Sequence, residues 1–217
     1  MQKRGLCILD WNGTLQDDMH HIYECGVERI FRHFNLPCPP LDTYRHQVSA
    51  DFMTSFYWPN GIPSKVTAAD LNAIMAAGFK EKGAPPGLFP DAVEFVETLA
   101  LRGYPLVVAS GYATAKLDAA IARSGLGRHF KKVVGDVLNK PAAFADLLGQ
   151  HGVCNAESFV VGDTTEDIEG AIAVGATPYI VTNGFHPFER LNDTLRAAHP
   201  LRYILAPTLV TFLPFLP

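Results

Sequence analysis

The sequence predicts an α/β fold, a doubly wound parallel sheet that carries a helical domain inserted after the first strand. Three observations favour this fold class. Short apolar runs alternate with helical patterns from about residue 90 onward, as in parallel sheets that helices cover on both faces. Residues from about 16 to 87 form a helical block with little strand signal. Polar residues follow several of the apolar runs directly, at the position where such sheets bind ligands.

The first strand is predicted at Leu6–Leu9, a short apolar run that Asp10 closes. In the block that follows, apolar residues recur at helical spacing, and two segments rich in proline interrupt the pattern. The predicted helices of this block are Asp17–Phe34, Thr43–Phe56 and Thr67–Lys82. Because Gly83–Gly87 has the composition of a linker, we predict that residues 16–87 form an inserted helical domain.

Strands and helices alternate in the remainder of the chain. The predicted strands are Pro105–Ala109, Val133–Val134, Phe159–Val161 and Tyr179–Val181. The predicted helices are Asp91–Arg102, Thr114–Ser124, Pro141–Gln150 and Thr165–Val174. The apolar C-terminal tail contains several prolines, which predicts a packed final turn. Residues 1–15 and 88–217 are therefore expected to form one α/β core domain.

The composition is that of an ordinary globular protein. Of 217 residues, 48% are hydrophobic and 18% are charged, and the formal net charge is −4. The sequence has no basic run, which argues against nucleic acid or an anionic membrane as a partner. No apolar stretch has the length of a membrane helix, and Asp10 interrupts the first run too early for a signal peptide. Four scattered cysteines predict buried free thiols in a reducing cytoplasm. The oligomeric state stays open.

Four short segments match the motifs of a known family in order. They are Leu9–Leu15 (LDWNGTL), Val107–Gly111 (VVASG), Lys140-Pro141 (KP) and Val161–Asp167 (VGDTTED). On these segments the sequence resembles the haloacid dehalogenase superfamily, and the place of its insertion resembles the branch of phosphoglycolate phosphatases and β-phosphoglucomutases. The resemblance spans essentially the whole chain, as far as Gly184-Phe185-His186. It implies a Rossmann-like core, a helical cap at residues 16–87 and hydrolysis of a phosphoric monoester.

The chemistry of the residues agrees with this resemblance. Asp10 can attack phosphorus in line and form an aspartyl-phosphate, which divides one difficult displacement into two easier steps. Because the attacked group is anionic, Mg²⁺ held by carboxylates is the expected cofactor, with Asp163 as the second carboxylate beside Asp10. The family pattern adds two further metal ligands, the backbone carbonyl of Asn12 and, directly or through a water, Asp167.

Ser110 is the first candidate for phosphate binding. It ends a predicted strand and begins a helix, so its hydroxyl and the following N–H groups of Gly111 and Tyr112 form a natural phosphate site. A serine in this position also serves as an ordinary helix N-cap, and one residue can do both.

Lys140, Thr14 and Gly13 complete the predicted phosphate site. The resemblance implies that Lys140 contacts both Asp10 and the phosphoryl oxygens and balances their charge. Thr14 is expected either to hydrogen-bond the phosphate or to hold the loop. Gly13 is expected to allow the tight turn beside the phosphate, because glycine adopts backbone conformations that other residues avoid.

Asn12 departs from the family pattern. The phosphatases of the family usually carry D-x-D-G-T, in which the second Asp protonates the leaving oxygen and later activates water. An amide forms hydrogen bonds but does not exchange a proton at neutral pH. Three interpretations stay open: a phosphatase that is slow or needs good leaving groups, an enzyme with different chemistry, and a phosphate-ligand-binding or regulatory protein with little turnover.

Different chemistry takes two forms in the family. Its dehalogenases carry Tyr where this chain has Asn12, but Ser110, Lys140 and Asp163 favour phosphate and metal. Its phosphonate hydrolases carry a small residue there and need a lysine from the cap. The candidate lysines are Lys65, Lys80 and Lys82. The favoured function is Mg²⁺-dependent hydrolysis of a small phosphorylated metabolite, similar to that of a phosphoglycolate phosphatase, through Asp10.

Overall fold

The computed structural model describes residues 4–83, 86–200 and 202–216. The chain divides into two compact units, of which one is built from Met1–Asp17 with Gly87–Pro217 and the other from Asp18–Pro86. The first is called the core unit below, and the second the helical unit. Ala84 and Pro85, which belong to the predicted linker Gly83–Gly87, lie outside the described residues.

A parallel sheet forms the centre of the core unit. Its strands in the described residues are β1 (Cys7–Leu9), β2 (Leu106–Ala109), β3 (Phe130–Val134), β4 (Phe159–Gly162), β5 (Thr177–Val181) and β6 (Ile204–Ala206). Their order in the sheet is β3-β2-β1-β4-β5-β6, and every pairing is parallel. The strand order reverses on the two sides of β1, so the predicted doubly wound parallel sheet is confirmed.

The register brings the ends of the central strands to one edge. Leu9 of β1 lies opposite Val108 of β2 and Val161 of β4. Because parallel strands end at the same edge of a sheet, the residues that follow these three strands are neighbours. This edge therefore gathers the polar residues that the sequence places directly after each apolar run.

The helical unit contains four helices in its described residues, α1 (Met19–Ile22), α2 (Glu28–His33), α3 (Leu41–Gln47) and α4 (Ala68–Lys82). The π-helical segment Tyr23–Val27 joins α1 and α2 into one continuous helix. This helix approaches α4 closely at Gly78, where an added Cβ would lie 1.9 Å from the carbonyl oxygen of Cys25. Aromatic contacts among Phe31, Tyr44 and Phe56 fill the interior of the unit.

Helices cover both faces of the sheet in the core unit. They are α5 (Ala92–Leu101), α6 (Thr114–Ser124), α7 (Lys140–His151), α8 (Thr165–Ala173) and α9 (Phe188–Ala198). Successive strand residues point to opposite faces, so Leu9 joins one apolar cluster with Phe95 of α5, and Ile8 joins another with Phe144 of α7. Both clusters are buried, which fixes the register of the central strands.

The structure corrects two predicted elements and adds two. The predicted helix Thr43–Phe56 is wrong, because α3 ends at Gln47 and a separate π-helical turn spans Met53–Tyr57. The third strand begins at Phe130, three residues before the predicted start at Val133. The sequence patterns did not indicate α9 or β6. The packed final turn predicted for the C-terminal tail is the 3₁₀ segment Leu209–Phe215, which buries Phe212 in the core. These elements extend the sheet and cover its far end.

The cysteines are less uniformly buried than the sequence predicts. All four thiols are free, but Cys154 is exposed and Cys38 is half-buried, whereas Cys7 and Cys25 are buried. Burial raises the pKa of the Cys7 thiol, so it is expected to behave as a small apolar side chain rather than as a nucleophile. Within the described residues, no helix combines the length and apolar character that crossing a membrane requires.

Candidate active site

Asp10 follows β1 at the carboxyl edge of the sheet and is buried. Its backbone N–H donates to the carbonyl of Val161 at 2.9 Å, which continues the pairing with β4. One carboxylate oxygen, Oδ1, accepts from the backbone N–H of Trp11 at 2.7 Å, and Oδ2 accepts from Lys140 Nζ at 2.7 Å. Both oxygens are therefore held in defined positions, as an in-line nucleophile requires.

Lys140 is the first residue of α7 and reaches back to two carboxylates. Its Nζ donates to Asp10 Oδ2 at 2.7 Å and to Asp167 Oδ1 at 2.6 Å, and its side chain is only 10% exposed. Burial alone would lower the pKa of this amine, but the charges of Asp10 and Asp167 outweigh burial and raise the pKa. Asn139 caps the helix by accepting from the N–H of Ala142, which fixes the position of Lys140.

Asp163 follows β4 and is fully buried. The hydroxyl of Thr14 donates to its Oδ1 at 2.7 Å, and the backbone N–H of Phe185 donates to its Oδ2 at 2.6 Å. An added Cβ at either Gly13 or Gly184 would lie 2.3 Å from Asp163 Oδ2, so both positions need glycine for this close approach. Burial, together with the nearby carboxylates, raises the pKa of Asp163 well above its ordinary value.

Asp167 lies in the first turn of α8 and is also fully buried. Its Oδ2 accepts from the hydroxyl of Thr164 at 2.6 Å and from the backbone N–H of Thr164 at 3.2 Å, which forms part of a capping box. Burial raises the pKa of Asp167 to about 6, although the charge of Lys140 opposes the shift. Gly162 leaves room for this carboxyl, because a Cβ there would lie 2.1 Å from Asp167 Cγ.

The three carboxylates form a cluster that suits a hard cation. Each of Asp10, Asp163 and Asp167 offers an oxygen, and these oxygens all lie within 4.8 Å of one another. Burial is the main cause of the raised pKa values of Asp163 and Asp167. If all three carboxyls were ionised, the single ammonium of Lys140 would also leave two buried negative charges uncompensated. Oxygen ligands with excess negative charge fit Mg²⁺, so the residues present are suited to hold this ion.

Ser110 and Asn12 meet beside this cluster. The hydroxyl of Ser110 donates to the amide oxygen, Oδ1, of Asn12 at 3.3 Å and accepts from the backbone N–H of Tyr112 at 3.3 Å. The N–H of Tyr112 is therefore directed at the serine hydroxyl, whereas the sequence pattern predicts that it contacts phosphate. Gly111 is exposed at the same turn, and its contact with phosphate stays a prediction, as does that of Ser110.

Gly13 and Thr14 hold the loop after β1. Gly13 has a φ of +71°, and its N–H donates to the carbonyl of Gln16 at 2.9 Å. Thr14 is fully buried, and its hydroxyl donates to Asp163. Thr14 was expected either to bind phosphate or to hold the loop, and the observed hydrogen bond to Asp163 corresponds to the second role. Direct phosphate contacts by these two residues, and metal binding by the carbonyl of Asn12, stay predictions.

The groups that support the carboxylates were not identified from the sequence. The backbone N–H of Phe185 binds Asp163, the hydroxyl of Thr164 binds Asp167, and the ring of His186 accepts from the N–H of Thr165 at 3.0 Å. Phe185 and His186 belong to a segment that the resemblance includes, but no sequence pattern indicates that their polar groups face the strand-end carboxylates.

The model of the haloacid dehalogenase-like hydrolase family matches residues 5–175. The chain belongs to this family. The matched range contains Asp10, Ser110, Lys140, Asp163 and Asp167. The predicted family is confirmed.

Two curated relatives are enzymes of phosphate chemistry by name. "Probable phosphatase IndB" of Dickeya dadantii (strain 3937) is 30% identical over 208 residues, which cover 91% of this chain and 87% of that protein. A "Phosphoglycolate phosphatase" of Aliivibrio fischeri is 28% identical over 126 residues, which cover 55% of this chain and 56% of the relative. Family and relatives together identify the protein as a hydrolase of the phosphatase type.

The fold has close counterparts among solved structures. The crystal structure of a "predicted phosphoglycolate phosphatase" from Haemophilus somnus 129PT superimposes with a TM-score of 0.77 and covers 99% of both chains. The two sequences are 19% identical, so this likeness establishes the fold and leaves the substrate open.

Proposed function

We propose that the protein is a Mg²⁺-dependent phosphatase that hydrolyses a small phosphorylated metabolite through an aspartyl-phosphate on Asp10. One observation carries the proposal: the ammonium of Lys140 lies between the carboxylates of Asp10 and Asp167, within the same buried cluster as Asp163. A lysine held between two carboxylates keeps its positive charge and can balance the charge of a phosphoryl group on Asp10. The free, exposed thiol of Cys154 suits a reducing compartment, and we include a cytoplasmic location in the proposal.

The proposed reaction uses the residues of this edge in turn. A carboxylate oxygen of Asp10 attacks phosphorus, the bond to the leaving oxygen breaks, and water later hydrolyses the aspartyl-phosphate. Lys140 balances the charge of the transferred phosphoryl group, and Ser110 orients it. Asp10, Asp163 and Asp167 would hold the Mg²⁺ ion, which supplies charge neutralisation when bound. Thr14 and Phe185 keep Asp163 in position through the two hydrogen bonds described above.

The helical unit is proposed to be the cap that selects the substrate. The chain leaves the core unit after Asp17 and returns at Gly87, so one insertion contains the whole helical unit. Such insertions close over the reacting groups and exclude water in many enzymes. Gly83 has a φ of +89°, and among the described residues, its chain neighbours aside, no heavy atom lies within 4 Å of the place that a Cβ would take there. The backbone N–H of Asp17 donates to the carbonyl of Gly87, and we propose that the hinges lie near Leu15–Asp17 and near Gly83–Gly87.

A phosphate-binding protein with little turnover is the second candidate, and Asn12 favours it. The amide cannot transfer a proton to a poor leaving group at neutral pH, so binding without hydrolysis is chemically consistent with the site. A phosphonate hydrolase receives less support. Its cap lysine would need a lowered pKa, whereas the ion pair with Glu24 raises the pKa of Lys82. The two other candidate lysines, Lys65 and Lys80, are both exposed.

Turnover of an activated aryl phosphate tests the proposal directly. We expect saturable hydrolysis with Mg²⁺ and its loss in excess chelator, and Ca²⁺ should substitute poorly because it prefers larger and looser coordination. Full activity in chelator would contradict the metal role. The absence of hydrolysis across a panel of phosphate esters, combined with calorimetric binding of phosphate, would support the second candidate instead.

Mg²⁺ is expected to stabilise the protein more at about pH 7.5 than at about pH 5. The folded-state pKa of Asp167 is about 6, above the value of about 3.9 in an unfolded chain. Its contribution to the free energy of unfolding is therefore fully present below about pH 4 and is lost as pH rises through about 6. Asp163 acts in the same direction, because its pKa is also raised. At higher pH the buried carboxylates of the cluster are ionised and repel one another, and a bound divalent cation relieves this repulsion.

Melting temperatures with Mg²⁺ and with chelator, at matched ionic strength, measure this effect. A relief of about 1 to 2 kcal/mol corresponds to a rise of roughly 2–8 °C for a protein of this size. Mg²⁺ should stabilise the unmodified protein more at the higher pH, and Asp163→Asn should reduce this excess of stabilisation. Asp118→Asn, at an exposed position of α6, should retain it. An equal stabilisation by Mg²⁺ at both pH values would contradict the assignment of the buried carboxylates as its ligands.

A further inference from the structure

We infer that His186 is a positioning residue for the metal site, in which its ring sets the separation between Asp163 and Asp167. The inference rests on the proposed function, because it concerns the ion that those carboxylates would hold. His186 lies in the loop between β5 and α9, and only 2% of it is exposed. No step of the proposed reaction uses this side chain.

The loop of His186 binds one carboxylate residue directly. The backbone N–H of Phe185 donates to Asp163 Oδ2 at 2.6 Å, and the backbone N–H of His186 donates to the carbonyl of Asp163 at 3.4 Å. Gly184, the preceding residue, allows this approach, since a Cβ there would lie 2.4 Å from Asp163 Cβ. Asp163, which follows β4, is thus bound to the loop through both its side chain and its backbone carbonyl.

The ring of the same histidine binds the helix that carries the other carboxylate. The backbone N–H of Thr165, the first residue of α8, donates to His186 Nδ1 at 3.0 Å. The first N–H groups of a helix have no partner within the helix, so a buried helix start needs an acceptor from elsewhere. Because Nδ1 accepts a hydrogen bond, the ring is neutral and carries its proton on Nε2. The acceptor at Nδ1 therefore fixes the first turn of α8, where Asp167 lies.

Phe185 and His186 consequently connect the two proposed ligands from outside the β4–α8 segment. Without the acceptor at Nδ1, the N–H of Thr165 would be buried without its partner, and the first turn of α8 would shift to find another. A shift of that turn moves Asp167 relative to Asp163 and weakens the binding of an ion that needs both. Outer groups that orient metal ligands typically contribute about 10- to 100-fold to metal affinity.

The test is a titration with Mn²⁺ as the probe, followed by the electron paramagnetic resonance signal of the free ion. His186→Leu removes the acceptor, and we expect a dissociation constant about 10- to 100-fold larger than that of the unmodified protein. His186→Asn offers an amide oxygen near the place of Nδ1 and should restore most of the affinity. His151→Leu, at the far end of α7 from Lys140, is the matched control and should leave the affinity unchanged.

Rescue by asparagine separates positioning from a merely structural role. If His186→Leu does not fold, His186→Asn is compared with His186→Gln, whose amide reaches the place of Nε2; a larger loss for Gln supports the inference. Equal affinities for the Leu variant and the unmodified protein, equal losses for Leu and Asn, or equal losses for Asn and Gln would overturn it. If the unmodified protein binds no Mn²⁺, the proposed metal site itself fails, which is a different outcome.

Discussion

Asp10→Asn is expected to reduce turnover by about 10⁴-fold or more, because the amide oxygen is too weak a nucleophile to form the acyl phosphate. The substitution keeps the size of the side chain and the acceptor for the N–H of Trp11. It places an NH₂ group opposite Lys140, which keeps its second partner, Asp167. The fold is therefore expected to survive while the chemistry is lost.

Two measurements check this result. Steady-state hydrolysis of an aryl phosphate gives the loss of rate, and Asp146→Asn, at an exposed position of α7, serves as the matched control. Acid quenching during turnover, followed by peptide mass spectrometry, should detect one phosphoryl group on the peptide that carries Asp10. A phosphoryl group on another peptide, or a variant that keeps its activity, would exclude Asp10 as the nucleophile.

The strand ends of the core were predictable because burial makes a strong sequence signal there. Strands covered on both faces are continuous apolar runs, and a polar residue that ends such a run is conspicuous, as Asp10 and Asp163 are. The parallel order of the strands then requires their ends to meet at one edge. The proximity of Asp10 and Asp163 follows from this reasoning without knowledge of any side-chain position, whereas Asp167, in the first turn of α8, was expected only from the family pattern.

The groups that position the carboxylates were not predictable, because they lie in a loop that carries no strong sequence signal. The bonds to Asp163 from Phe185 and to α8 from His186 depend on a loop conformation, and loops have no periodic pattern that a sequence displays. The same limit explains the error in the helical unit. Apolar spacing continues through Val48 and Phe52, but the chain leaves the helix after Gln47 and resumes in a π-helical turn. Asp51 accepts from the backbone N–H and the hydroxyl of Thr54 at 3.4 and 2.7 Å, so local side-chain hydrogen bonds begin a new turn after the break.

Asn12→Asp is expected to raise the rate on alkyl phosphates by about 10²- to 10⁴-fold, the usual contribution of a general acid–base group. An alkoxide leaves poorly unless it receives a proton, which a carboxyl can donate and an amide cannot. Nearby carboxylates should raise the pKa of the new carboxyl and favour its protonated form. On activated aryl phosphates, whose leaving groups need no proton, the rate should change by only a few-fold.

A series of phosphate esters that differ in leaving-group basicity measures this difference. The rate of the unmodified protein should fall steeply as the leaving group becomes more basic, and the rate of Asn12→Asp should fall less. The double variant Asp10→Asn with Asn12→Asp is the control, since its activity should be lost for every ester. A gain that survives in the double variant would assign the added activity to a contaminating phosphatase.

Deamidation is a specific source of error in this experiment, because Asn12 precedes Gly13 and such pairs cyclise when the loop is flexible. The reaction needs the backbone nitrogen of Gly13 to attack the side-chain carbonyl of Asn12. That nitrogen donates to the carbonyl of Gln16 at 2.9 Å in a turn with a φ of +71°, which holds it away from this attack. We therefore expect slow conversion, and the mass of the loop peptide in fresh and stored protein checks it.

A failure of Asn12→Asp to accelerate any alkyl phosphate would show that the amide does not stand in for a lost acid–base group. The amide oxygen already accepts from the hydroxyl of Ser110 at 3.3 Å, and a carboxylate in its place would accept the same bond. The two side chains would then differ in charge and in the NH₂ donor that only the amide carries. That outcome would assign Asn12 a donor role toward the bound ligand, and the phosphate-binding candidate would become the favoured function.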